Sequence, residues 1–340
     1  MNISDNAPII ASICCILLQA ASCASEISTH KAWDLLPSTD CGVGRRPGRI
    51  TNGKEADLGQ FPWLARLGYQ EGKDIKFKCG GSLLNEWYVI TAAHCLKGNE
   101  GKFKVVRLGE NVEDEKSCDN ASCSLPVQDI PVGSVMIHSE YSTITSKNDI
   151  ALVALKDAAK YNEFVKPLCL PRADTIQEKH LGEEVTVAGW GVIDSSTEET
   201  SPSLLFVNIP VVELDVCRAI YKSVQLDKTQ WCVGKTSGED SCSGDSGGPL
   251  MNWKAKGGSK QHFLLGVVSF GQSYCGENPS IYTNTNHFML WILDNILAHH
   301  KRQDGVVRRL MEPTNMLKVT VNKRPSGMLT YRPIKYMKQL

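Results

Sequence analysis

Gly244-Asp245-Ser246-Gly247-Gly248 decides how the rest of this chain is read. A serine framed as Gly-x-Ser-x-Gly occurs in two unrelated architectures, and chain order separates them. In the α/β arrangement an acid and then a histidine follow the serine. Here hardly any chain beyond Ser246 could supply the alternating strands and helices which that arrangement requires. Upstream lie Thr91-Ala92-Ala93-His94-Cys95 and Asn148-Asp149-Ile150-Ala151-Leu152, so the order is His, Asp, Ser.

Between Ile50 and about His287 the pattern is short apolar or alternating runs broken by Gly, Pro, Asn and Asp, as in 104–108, 150–155, 184–188 and 263–268. That punctuation predicts an all-β fold, and a stretch of this length accommodates two similar barrels whose sequences have diverged. One long helix is expected late, where Phe288, Trp291, Ile292 and Ile296 recur at helical spacing behind Asn286 as its cap.

The 340 residues are 42% apolar and 22% charged, a globular composition, and the formal net charge is zero. Global charge therefore nominates neither a nucleic acid nor a membrane as partner. Ile9-Ile10-Ala11-Ser12-Ile13-Cys14-Cys15-Ile16-Leu17-Leu18, followed by small residues near Ala24-Ser25, reads as a secretory signal over 1–24, although Asp5 stands where a signal normally starts basic. The run is shorter than the ~20 residues of a membrane span. Thirteen cysteines become an even ten once Cys14, Cys15 and Cys23 leave with the signal, which fits disulfides in an oxidising compartment.

The triad segments, with Phe61-Pro62-Trp63, Cys79-Gly80-Gly81-Ser82-Leu83, Pro167-Leu168-Cys169-Leu170-Pro171, Gly189-Trp190-Gly191, Ser269-Phe270-Gly271 and Ile281-Tyr282-Thr283, resemble the chymotrypsin/trypsin family from Ile50 to about Leu297. The resemblance implies two perpendicular six-stranded antiparallel β-barrels, a cleft between them and a C-terminal α-helix. It also implies a secreted serine endopeptidase with no required cofactor. His94 takes the Ser246 proton and passes it to the leaving amine, and Asp149 fixes the tautomer. The amides of Gly244 and Ser246 form the oxyanion hole. A homologue that is catalytically inactive and acts as a binding cofactor is the main alternative, and a digestive or venom protease the other.

Asp240, six residues before Ser246, matches the floor of the primary specificity pocket, where a buried carboxylate selects Arg or Lys. Ser269 and Gly271 line the same cleft by resemblance. Ser280 replaces a wall glycine, which narrows the slot and favours Arg over Lys. Pro279 stands where sodium-binding members carry tyrosine, so sodium dependence is not expected. Arg49-Ile50-Thr51-Asn52-Gly53 resembles an activation junction. Cleavage after Arg49 frees the Ile50 amine to pair with Asp245 and order the site.

Resemblance also gives the disulfides Cys79–Cys95, Cys217–Cys232, Cys242–Cys275 and Cys41–Cys169, the last tethering a light chain over 25–49. A local Cys118–Cys123 bridge is left over in an acidic loop. That bridge, with Asp240-Ser241-Cys242-Ser243-Gly244, resembles the arthropod clip-domain proteases of haemolymph clotting, melanisation and Toll-type signalling. A clip domain itself is not evident, since 25–49 holds one cysteine. Expected partners are protein substrates, an upstream trypsin-like activating protease and serpin-type inhibitors. Asn120-Ala121-Ser122 is a glycosylation sequon. Glu110, with Glu113, Asp114, Glu115 and Asp119, is a candidate site for structural calcium beside the alternative of a solvated acidic loop. With the protease domain taken as 50–300, residues 301–340 form a basic extension with ten Lys or Arg against two acids. It is expected to be disordered and is a candidate for binding polyanions.

Overall fold

A computed structural model of the chain describes residues 24–45, 55–112, 126–172, 175–176, 180–194, 199–235, 245–256, 259–271 and 278–311. The first barrel comprises β1 (Leu64–Glu71), β2 (Asp74–Asn85), β3 (Tyr88–Thr91), β4 (Phe103–Leu108), β5 (Gln128–Ile137) and β6 (Ala151–Leu155). Its strands close in the order β1-β2-β3-β6-β5-β4. The second contains β7 (Glu184–Gly189); a two-stranded ribbon of β8 (Val192–Asp194) and β9 (Glu199–Thr200) follows it in the chain. β10 (Leu205–Val212), β11 (Gln230–Val233), β12 (Pro249–Lys256), β13 (Ser259–Phe270) and β14 (Ser280–Asn284) complete that barrel, in the order β10-β11-β14-β13-β12-β7. The expected pair of six-stranded antiparallel barrels is thus present.

The sequence pattern explains the closure. On β4, Phe103, Val106 and Leu108 are buried while Lys104 faces out, the alternation of a strand with one wet face. On β6 all five residues of Ala-Leu-Val-Ala-Leu are buried, because covered strands read as continuous apolar runs. Closing each sheet on itself leaves no unpaired edge.

Among the described residues, helices α1 (Ala93–Leu96), α2 (Leu214–Ile220) and α3 (Met289–Met311) punctuate the barrels. On α3, Ile292 and Ile296 are fully buried, as their spacing predicts. Two expectations need correction here. Asn286 does not cap the helix; its Nδ2 donates instead to Ile176 O at 3.1 Å. Nor is the chain disordered from 301, since α3 continues to Met311. Nothing from Lys301 to Met311 forbids helix, and the first such residue is Pro313, which also disfavours helix at its predecessor. Contacts divide the chain into units 1–297 and 298–340, the second holding the end of α3.

The expected Cys41–Cys169 bridge is formed, and it is not the only attachment of the 24–45 segment. A helical turn at 24–28 leads into a 3₁₀ turn at Lys31–Leu35, where His30 Nδ1 accepts the Ala32 amide at 3.2 Å. Ile27, Ala32, Trp33 and Leu36 belong to the principal hydrophobic core. Trp33 Nε1 donates to Ile27 O at 2.6 Å, and the Arg172 guanidinium lies 4.4 Å from the Trp33 ring. Asn85 Nδ2 donates to Leu35 O at 2.7 Å, and His30 meets Asp294 of α3 at 3.1 Å.

Candidate active site

β3 ends at Thr91, and α1 carries His94 into the space between the barrels' facing ends. Asp149 enters on the segment before β6. Asn148, just ahead of it, sits in the left-handed region at φ 56°, one of the few side chains that tolerates this conformation. Asp149 is 1% exposed and fully engaged: Oδ1 accepts the His94 amide at 2.9 Å, and Oδ2 faces His94 Nδ1 at 2.8 Å. The second barrel contributes the remaining bonds. Ser269 Oγ on β13 donates to Asp149 Oδ2 at 2.5 Å, and Thr283 Oγ1 on β14 donates to the Asp149 carbonyl at 2.7 Å. Held through Nδ1 and its own amide, the imidazole is fixed in orientation, and Nε2 is the ring nitrogen not bonded to the carboxylate.

Ser246 stands where the two barrels meet. Its carbonyl accepts the Gly80 amide of β2 at 2.8 Å and lies 3.6 Å from Sγ of Cys95, the neighbour of His94. The Gly247 amide donates to Val268 O on β13 at 2.9 Å. At Gly247 φ is +81°, and an added Cβ would overlap Thr91 Oγ1 and Gly80 O, so the turn that presents the serine admits only glycine. The Cys79–Cys95 bridge closes the wall beside His94, and Cys217–Cys232 is formed in the second barrel.

Asp245 lies against the Gly189–Gly191 segment. Its Oδ1 accepts the Gly191 amide at 2.9 Å, and a Cβ on either Gly189 or Gly191 would collide with the carboxylate. The Gly-Trp-Gly motif is therefore a cradle for this side chain. Ser280 at the start of β14 is 5% exposed and its Oγ would lie 2.6 Å from a Cβ on Gly271, so β14 and the end of β13 approach closely here. Asp240, Gly244, Arg49, Ile50, Asn120, Cys118, Cys123, Cys242 and Cys275 lie outside the described residues.

Glu110 is 8% exposed and already neutralised. Arg66 Nη1 takes Oε2 at 2.7 Å and Arg107 Nη1 takes Oε1 at 2.9 Å. Calcium needs six to eight oxygen ligands, and here both oxygens of the candidate ligand are committed to guanidinium groups, so Glu110 does not fit a calcium site. Its acidic companions from 113 onward lie outside the described residues.

Sequence reasoning did not single out Thr283 or Gly80 as parts of the site, although both fall in the family's motifs. Their roles depend on β14 and β2 reaching across to segments distant in sequence.

Residues 50–292 match the Trypsin family, and the chain belongs to it. Among curated proteins it is 36% identical over 300 residues to CLIP domain-containing serine protease HP8 of Bombyx mori, covering 84% of this chain and 80% of that one. It is 37% identical over 281 residues to the Spaetzle-processing enzyme of Drosophila melanogaster, covering 76% and 69%. Among solved structures, the Drosophila Grass clip serine protease of the Toll pathway superposes with a TM-score of 0.67 at 30% identity, covering 80% of this chain and 77% of that one.

Proposed function

We propose that the chain is a secreted zymogen of a trypsin-like serine endopeptidase, cut after Arg49 and cleaving peptide bonds after Arg or Lys in an extracellular cascade of the arthropod immune or melanisation type. The observation that carries the catalytic part is Asp149, buried and bonded to both the amide and Nδ1 of His94, with Ser246 seated beside the adjoining disulfide. In this reading His94 Nε2 deprotonates Ser246 Oγ as it attacks the scissile carbonyl, and the imidazolium that forms is stabilised by Asp149. The amides of Gly244 and Ser246 receive the oxyanion. His94 then protonates the departing amine, and water repeats the sequence to release the acyl group.

Three roles rest on the named relatives and on residue positions. Asp240 supplies the negative floor of the pocket, and the narrow passage at Ser280 favours the planar guanidinium. Asp245 in its Gly189–Gly191 cradle receives the Ile50 ammonium freed by cleavage. Protein substrates, a trypsin-like activator and serpin-type inhibitors are the partners, with polyanions on the basic C-terminal extension.

The test is to cleave the purified zymogen after Arg49 and profile hydrolysis of arginyl and lysyl amides beside a Ser246→Ala control. Activity confined to the cleaved parent is expected, and an inert cleaved parent refutes the reading. Ser280→Gly is expected to raise kcat/KM for lysyl relative to arginyl substrates several-fold, and an unchanged ratio removes Ser280 from the specificity argument.

A further inference from the structure

Arg66 of β1 is only 6% exposed. Its guanidinium lies over two rings at once, with Cζ 5.0 Å from the ring centre of Phe77 on β2 and 5.3 Å from that of Trp190. Nη1 donates to Glu110 Oε2 at 2.7 Å, and both side chains of this pair are almost wholly buried. Glu110 is held in turn. Arg107 of β4 donates to its Oε1 at 2.9 Å, while Nε and Nη2 of the same arginine grip Asp129 of β5 at 2.8 and 2.9 Å.

A buried ion pair adds little net stability over an apolar pair of the same volume. What this one supplies is a planar cation fixed in place, and the place is the face of Trp190. The edge of the same indole is held by the next residue along the chain. Trp190 Nε1 donates to Asn111 O at 3.3 Å, and that carbonyl also accepts the Leu204 amide at 2.8 Å. Glu110-Asn111 thus fixes the face of the ring, through Arg66, and its edge directly. Trp190 stands between Gly189 and Gly191, whose missing side chains make the room for the Asp245 carboxylate. A tilt of the indole would carry both glycines with it, and with them the Gly191 amide that donates to Asp245 Oδ1 at 2.9 Å.

We propose that Arg66 is a positioning residue for the activation switch: its guanidinium, set by Glu110, holds Trp190 and thereby keeps the Gly189–Gly191 cradle shaped for Asp245 when the Ile50 ammonium arrives. The proposal rests on the reading of Asp245 as the receiver of that ammonium. Through Arg66 the first barrel stiffens a switch whose cradle belongs to the second. Arg66 acts through Trp190 and not by contact with the reacting atoms.

The test is Arg66→Met, which fills much of the same length and leaves Glu110 paired with Arg107, so that no uncompensated charge is buried. Full chains carrying Ser246→Ala, with and without Arg66→Met, are cut after Arg49 and treated with cyanate, and mass spectrometry follows carbamoylation of the Ile50 amine. Cyanate adds to a free unprotonated amine, and an ammonium paired with a buried carboxylate keeps its proton. The amine of the parent should react far more slowly than that of the free peptide Ile-Thr-Asn-Gly, and Arg66→Met should speed its reaction about tenfold. Amide hydrogen exchange on β6 should stay at the parent's level, which a general loosening of the fold would not allow. Equal, slow reaction in parent and variant, or faster reaction accompanied by faster exchange on β6, overturns the proposal and leaves the switch itself standing. A parent that reacts as fast as the free peptide refutes the Ile50–Asp245 pairing and the proposal with it. Should Arg66→Met fail to fold, Phe77→Leu takes one of the two rings from the guanidinium at a half-buried site. It must speed the reaction about threefold, and an unchanged rate is equally fatal.

Discussion

Replacing Trp33 by alanine tests whether the light-chain segment is a structural part of the protease body or a strand held only by its disulfide. Trp33 is 7% exposed, packs in the principal core, donates to Ile27 O at 2.6 Å and carries the Arg172 guanidinium at 4.4 Å. Truncating a buried tryptophan costs about 3–5 kcal/mol in lost transfer energy and cavity. In a domain of this size each kcal/mol shifts Tm by about 2–4 °C, so Trp33→Ala should lower Tm by roughly 10 °C. Cys41–Cys169 survives the change, and the light chain therefore stays attached to the cleaved protein. The decisive comparison removes that bridge as well. After cleavage following Arg49, a Cys41→Ser, Cys169→Ser protein should keep its light chain on gel filtration, whereas the same protein with Trp33→Ala should shed it. A Tm within about 2 °C of the parent, with light-chain retention unaffected by Trp33→Ala, would refute the docking argument.

Burial among Phe61 and Trp63 pushes His262 down to about 4; Lys260 adds to this and the Gly42 carbonyl opposes it. Because the folded value lies below the unfolded one, the unfolded chain binds the proton first. Stability from this group is complete above about pH 6.5 and falls by about 3 kcal/mol as pH drops toward 4. Urea unfolding across that window should show the loss in the parent and a flatter dependence in His262→Gln. Gly189→Ala drives a methyl into the Asp245 carboxylate, so the cleaved protein should fold yet lose at least about a hundredfold in amide hydrolysis, the scale of a damaged oxyanion site. Full activity would detach Asp245 from the switch. With Arg66 and Arg107 holding both oxygens of Glu110, thermal melts in calcium and in EDTA should coincide; a separation of several degrees would mean that a metal competes for that carboxylate.

The barrels, the approach of His94 to Asp149 and three of the disulfide pairings are legible in the sequence, because each rests on local pattern or on motifs carried by the family. Alternation on β4 and the continuous apolar run of β6 report which faces are covered, and Gly247 after Ser246 reports a turn that no side chain permits. Other features are not legible there. Lys301 to Met311 is as polar as a disordered tail, and only the observed helix distinguishes the two. Asn286 carries the sequence signature of a helix cap, and a competing acceptor at Ile176, 110 residues away, takes its side chain instead. Glu110 reads as a calcium ligand until β1 and β4 pair and bring Arg66 and Arg107 onto its two oxygens.

By itself the sequence nominated the candidate catalytic residues and determined that short strands would enclose the cores. Tertiary structure alone decided what each polar group is bonded to: that Ser269 and Thr283 of one barrel fix an aspartate of the other, that Trp33 anchors the N-terminal segment in the core, and that Gln230 and Asn286 each keep one atom unanswered. The physical reason is that covering an apolar face is a property of spacing along the chain. A hydrogen bond or ion pair between distant segments exists only once strand pairing and barrel packing have brought its two ends within about 3 Å.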